Sequence, residues 1–180
     1  MAQISKPDAD ITDGGWKRSD NGSAVNLYQL VSDGTTTFIY DSSFGSPSPC
    51  TLALENLTDP SSASDHTISV SGRYQSSSSN IIFELFEGSN FRGGATGTLT
   101  NSFANYSYTL DTDEANDISD YTNLRIKLSA SQGFSEVEIT HAQFSVPDAG
   151  GGGDDGGADP YTTKLGNAEF TFRGLTDIGG

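Results

Sequence analysis

The sequence predicts an all-β protein: an antiparallel β-sandwich of jelly-roll type with about eight strands, an extended N-terminal arm and a C-terminal tail. Three observations point there. Short segments alternate apolar and polar residues, the period of two that turns one strand face inward. Turn-forming clusters of Gly, Ser, Asn, Asp and Pro separate these segments at short spacing. Only 33% of the 180 residues are hydrophobic, and Gly, Ser, Thr, Asp and Asn fill the difference. These residues favour turns and strands over helices.

The clearest strands lie between Thr122 and Val146. Leu124, Ile126 and Leu128 alternate with Arg125, Lys127 and Ser129. Ser131-Gln132-Gly133 then reads as a tight turn of a hairpin, with Gly133 free to take a positive φ. On the return, Val137 and Ile139 face inward and Glu136 and Glu138 outward, after which Ala142, Phe144 and Val146 take the other phase. A bulge near Thr140 to Gln143 accounts for the flip, and Pro147, which has no N–H, ends the ladder.

Upstream, Met1 to Asp20 reads as an extended arm, since Pro7, Gly14 and Gly15 forbid a long helix. Val25 to Val31 fits an edge strand or one helical turn. Strands follow at Thr35–Tyr40 and Cys50–Leu57, the second with Leu52 and Leu54 on one face. His66–Gln75 turns Ile68, Val70 and Tyr74 inward. Asn80–Glu87 turns Ile81, Phe83 and Leu85 inward and leaves Ile82, Glu84 and Phe86 on the other face, where something should cover them. Gly88 to Gly94 reads as a turn, with strands at Ala95–Thr100 and Tyr106–Leu110. Asp111–Ile118 reads as a short helix capped by Asp111 or Thr112. The division expected is arm 1–20, body 21–147, Gly/Asp linker 148–159 and docking tail 160–180. Twenty residues make no core of their own. The apolar residues Leu165, Phe170, Phe172, Leu175 and Ile178 should therefore dock on a neighbouring subunit, on a partner or on the body itself.

Composition excludes several classes of function. A formal charge of −15 repels nucleic acid and anionic membranes. One cysteine, Cys50, rules out an intrachain disulfide and fits assembly in a reducing cytosol. The start MAQISKPDAD has no apolar signal region, and no run approaches a membrane span. Catalytic and nucleotide-binding motifs are missing. Glu84, Glu136 and Glu138 fall on outward faces and Glu87 at a strand end, so they read as solvated rather than as a glycosidase pair. His66 and His141 lie on different strands and read as structural. Asp111, Asp113, Asp117 and Asp120 lack the glycine and terminal glutamate of an EF-hand loop, and helix capping explains them. No enzyme, metal or cofactor is expected.

The runs Ile4–Trp16 (ISKPDADITDGGW), Asn56–Pro60 (NLTDP) and Asp113–Arg125 (DEANDISDYTNLR), with the closing Val146-Pro147, resemble a recurring structural module of tailed-phage and prophage virion proteins. The resemblance spans about residues 4–147 and implies a jelly-roll body on a capsid or tail. It implies a non-enzymatic capsid decoration (cement) protein, made in the host cytoplasm and bound to the major capsid protein on the outer head surface. Bridging of capsomers and a homotrimer matched to capsid three-fold positions are expected with it. The alternative is a carbohydrate-binding adhesin module of a tail fibre or tail tip. In that case Trp16, Tyr28, Tyr40 and Tyr74 would line a sugar site, whereas otherwise Trp16 plugs one end of the sandwich.

Overall fold

The computed structural model describes residues 1–20, 26–32, 37–41, 48–131 and 136–149. Two antiparallel sheets form a sandwich, as the alternation predicts. The elements are β1 (Gln3–Ser5), β2 (Pro7–Thr12), β3 (Lys17–Arg18), α1 (Tyr28–Val31), β4 (Ile39–Asp41), β5 (Cys50–Leu54), β6 (Thr67–Tyr74), β7 (Asn80–Glu87), β8 (Asn90–Thr98), β9 (Ala104–Thr109), α2 (Thr112–Asn116), β10 (Leu124–Ala130) and β11 (Val137–Val146). Sheet A runs β3-β4-β11-β6-β9, with β1 also paired to β11, and sheet B runs β2-β5-β10-β7-β8. Residues 1–149 form one compact unit.

The inward phase of the long strands is mostly apolar. Leu52 and Leu54, Ile68 and Val70, Ile81, Phe83 and Leu85, Leu124, Ile126 and Leu128, and Ala142, Phe144 and Val146 are all buried. Ile126 sits between Leu52 and Leu85 in the adjacent strands. The expected bulge in β11 lies between Ile139 and His141, with Thr140 as the extra residue.

Three expectations change. Residues 122–146 do not form a hairpin: β10 pairs with β5 and β7 in sheet B, while β11 pairs with β4 and β6 in sheet A. Both strands turn apolar side chains to the same core, but from opposite sides, and alternation carries no record of which neighbour a strand takes. Residues 1–20 are extended, yet they are woven into both sheets as β1, β2 and β3. The turn read at 88–94 shrinks to Gly88-Ser89, with Gly88 at φ +58°, and β8 runs straight through Gly93 and Gly94. Of the two readings of the segment around residue 28, the structure takes the helical turn, at Tyr28–Val31.

Local devices hold the ends. Asp111 caps α2 by accepting from the Glu114 N–H at 2.9 Å, and Glu114 accepts in return from the Asp111 N–H at 3.0 Å. The same Glu114 carboxylate accepts from the Tyr108 hydroxyl at 2.8 Å. That bond, with burial behind it, pushes the Tyr108 phenol up to about 12. Glu87 shares the inward phase of β7 and is buried. It accepts from the Ser119 hydroxyl at 2.6 Å and pairs with Arg92 at 2.7 Å, pinning the segment after α2 to sheet B. Asp120 accepts from both the hydroxyl and the N–H of Thr122. Trp16 is fully buried, and its indole N–H donates to the Ser48 carbonyl at 3.1 Å. Gly14 makes that approach feasible: at φ +59°, any Cβ would fall 2.3 Å from the Pro49 carbonyl oxygen.

Candidate functional site

The outward face of sheet A brings together side chains that are far apart in sequence. Residues directly opposite in an antiparallel ladder share a face. Register therefore sets Lys17, Tyr40, Glu138 and Arg73 in one row across β3, β4, β11 and β6. Below it come His141, Ser71 and Asn105, then Gln143, Ser69 and Ser107, then Ser145, Thr67 and Thr109. The face is aromatic and charged at one end, and lined with hydroxyls and amides along the rest.

Two rings close over the charged end. Phe38 stands just ahead of β4 and Phe103 just ahead of β9, with β11 and β6 between those strands. Their centroids are nevertheless 6.3 Å apart, so the rings meet above the sheet. Phe38 also packs edge-on to Tyr40 at 6.2 Å, and the Arg73 guanidinium lies 4.5 Å above the Phe103 ring. Phe103 stays 39% exposed, which leaves a ring surface open to a ligand.

This roof explains an oddity. Glu138 points away from the core, as its phase requires, yet it is completely buried. Its carboxylate accepts from Arg73 Nε at 2.5 Å and from Gln75 Nε2 at 3.0 Å. A buried carboxylate needs such donors to persist. Burial first, then the nearby Glu138 charge, push the Glu136 carboxyl above its ordinary range, against the pull of Lys17 and Arg73. The Nδ1 atom of His141 on this face is buried and has no hydrogen-bond partner among the described residues.

The four sugar-facing aromatics expected from sequence do not converge. Tyr40 lies in the row just described. Trp16 is in the core and presents no open surface. Tyr74 is half-buried, on the core side of β6 opposite Val137. Tyr28 lies on α1 beside an open cleft of about 510 Å3 along β2, lined by Asp8, Ile11, Asp13 and their neighbours. The tail residues Leu165, Phe170, Phe172, Leu175 and Ile178 lie outside the described residues. Sequence reasoning missed both rings: Phe38 falls in the strand expected at Thr35–Tyr40, but alternation does not show which strands meet, and Phe103 sits just ahead of a strand with no alternation signal of its own.

His66 and His141 do not share a site. His66 is buried inside the sandwich, with Nδ1 2.9 Å from the Ser64 carbonyl and Nε2 2.7 Å from the Tyr121 hydroxyl. A carbonyl only accepts, so Nδ1 carries the proton and Nε2 accepts from Tyr121. No group of three His, Cys, Asp or Glu among the described residues is arranged to hold a metal ion. Burial pushes the Cys50 thiol far up, away from reactivity.

No protein-family model and no curated protein sequence matches the chain. Solved structures of similar outline include a xylan-binding module, CBM15, at 11% identity and TM-score 0.49, covering 81% of this chain and 97% of that one. Another is the family 11 carbohydrate-binding module of Clostridium thermocellum in complex with a β-1,3-1,4-mixed-linked tetrasaccharide, at 13% identity and TM-score 0.44, covering 80% and 86%. The enzymatically active domain of bacteriophage CBA120 tailspike protein 4 is similar at 10% identity and TM-score 0.42, covering 79% of this chain and 19% of that one. Likeness at this level transfers no site residue and no activity.

Proposed function

We propose that the body is a non-catalytic carbohydrate-binding module whose ligand lies across the outward face of sheet A. One observation supports this above the others: Phe38, Tyr40 and Phe103 gather over a face otherwise lined with amides and hydroxyls. A sugar ring has apolar C–H faces and a polar rim. Aromatic platforms flanked by a few fixed polar groups suit both. The Arg73–Glu138 pair holds the Phe103 ring from below, so the platform is preformed. Rows two to four carry no carboxylate, lysine or arginine, which suits a neutral glycan.

The test is binding to a panel of soluble neutral polysaccharides, by affinity electrophoresis and calorimetry. Phe103→Ala and Tyr40→Ala should each weaken binding by about tenfold or more, since each removes a stacking surface, with melting unchanged within a few degrees. A protein that binds no glycan, or whose binding survives both substitutions, refutes the reading.

A second reading rests on the sequence resemblance over residues 4–147. It is a capsid decoration protein on the virion surface, bridging capsomers through the major capsid protein. Electron microscopy of intact particles tests it: density on the head supports decoration, and density on tail fibres supports the glycan reading.

A further inference from the structure

The outward face of sheet B poses a separate question. Phe91 is 54% exposed and packs edge-on against the half-buried Phe86 at 5.7 Å. The Lys127 amine lies 5.1 Å from the centre of the Phe86 ring and 3.0 Å from the Glu84 carboxylate. Among the described residues, Arg125 has only a 3.5 Å contact to the Asn123 side chain. Register orders these residues in two rows. The first reads Ala53, Arg125, Phe86, Phe91 and the second Thr51, Lys127, Glu84, Gly94, each across β5, β10, β7 and β8.

We propose that this face is a two-fold interface between two copies of the chain. Place a second copy after a half-turn about an axis lying in the face, between β10 and β7 and parallel to them. Each β10 then lies over the other copy's β7, and each β5 over the other's β8. Lys127 meets Glu84 and Glu84 meets Lys127. Arg125 comes over the Phe86 ring, twice. Phe91, the most prominent side chain of the face, meets Ala53, one of the smallest. Thr51 meets Gly94, which has no side chain at all. Bulk faces space and charge faces counter-charge at all four positions, so the surface is complementary to itself, as an isologous contact demands.

Charge favours this occupant over others. In a chain of formal charge −15, the two rows carry Arg125, Lys127 and Glu84, a local excess of one positive charge. A face without net negative charge lets two copies approach with little repulsion. Four strands span only about 14 Å at their usual spacing. The contact is thus smaller than the roughly 800 Å2 per partner of a stable complex, and association should depend on concentration. The outward faces of the two A sheets remain free, so the glycan reading stands or falls separately.

Sedimentation velocity across a concentration series, with charge-reversal variants, tests the interface. The full chain should pass from monomer to dimer, and salt should weaken the dimer. Glu84→Lys places two lysines against two lysines, and Lys127→Glu places two glutamates against two glutamates. Each variant alone should dimerise at least about tenfold more weakly, while circular dichroism stays native. Mixing the two variants in equal amounts should restore a heterodimer, because two lysines then face two glutamates. Phe91→Ala should weaken association without changing charge. A protein monomeric at every soluble concentration, a dimer indifferent to all three substitutions, or a mixture no tighter than its components overturns the proposal.

Discussion

Arg73 and Glu138 form one ion pair, but removing either half should have unequal effects. Glu138 is wholly buried and Arg73 is one-third exposed, with 2.5 Å between Nε and the carboxylate. Arg73→Met keeps the aliphatic stem and deletes the guanidinium. Among the described residues, the carboxylate is then left buried with Gln75 as its one remaining side-chain donor. Breaking a buried pair in this direction costs about 3–5 kcal/mol. At about 2–4 °C per kcal/mol for a domain of this size, the melting temperature should fall by roughly 6–20 °C. Glu138→Gln keeps the shape and leaves no uncompensated charge inside, while Arg73 can turn its free donors to water. The cost should be that of one weakened hydrogen bond, about 1–2 kcal/mol. The double variant Arg73→Met/Glu138→Gln should be more stable than Arg73→Met alone, because the buried charge is gone. Thermal and urea unfolding of all four proteins gives the cycle. If Glu138→Gln costs as much as Arg73→Met, or the double variant is the worst of the three, the description of Glu138 as a buried charge tethered by a half-exposed arginine is wrong.

Other outcomes follow from single residues. Ile126→Asp buries a carboxylate between Leu52 and Leu85 and should unfold the body, whereas Ser129→Asp on the outward phase should barely move the melting temperature; equal effects would refute the register. Tyr121→Phe leaves His66 Nε2 buried without its partner and should cost about 1–3 kcal/mol in urea unfolding, and a silent substitution would disprove the buried His66–Tyr121 hydrogen bond. Burial alone would raise the Glu87 carboxyl, but the Ser119 hydroxyl and N–H, with Arg92, outweigh it and hold the group below its ordinary range. A depressed carboxyl stabilises the fold above its unfolded value and loses that contribution as pH falls through its folded value. Ser119→Ala should therefore lower stability at neutral pH and flatten its fall in acid, and an unchanged acid limb would argue against this latch.

Much of the sandwich was legible because burial is written in parity. Leu124, Ile126 and Leu128 announce a face, and the phase change between Ile139 and Ala142 announces a bulge. The start of α2 was legible for a similar local reason, as Asp111 or Thr112, and the structure takes Asp111. Pairing was not legible, since β10 and β11 carry the same signal and sit in different sheets. Glu87 could have been found, because it continues the buried phase of Ile81, Phe83 and Leu85 where a solvated residue has no place. The cluster over sheet A was beyond reach. Phe38 and Phe103 lie 65 positions apart (103 minus 38), in irregular segments, and only the register of four strands puts them within one ring diameter of contact.

The bulge in β11 also bears on how the chain can change length. Before it, Val137 and Ile139 face the core; after it, Ala142, Phe144 and Val146 do. Removing Thr140 joins the two halves into one unbroken alternation, with Glu138 and His141 still outward. Removing Glu138 instead would turn the first half of the strand inside out, and losing Gln143 would do the same to the second. An insertion or deletion of one codon is therefore survivable at one point of this strand and ruinous on either side. Homologues that differ in length here should differ at the position of Thr140, whose hydroxyl makes only a long 3.4 Å contact to the Ser71 carbonyl. What such a deletion would take away is the local twist that a bulge imparts. The chain's length at this point is held by the curvature of a sheet.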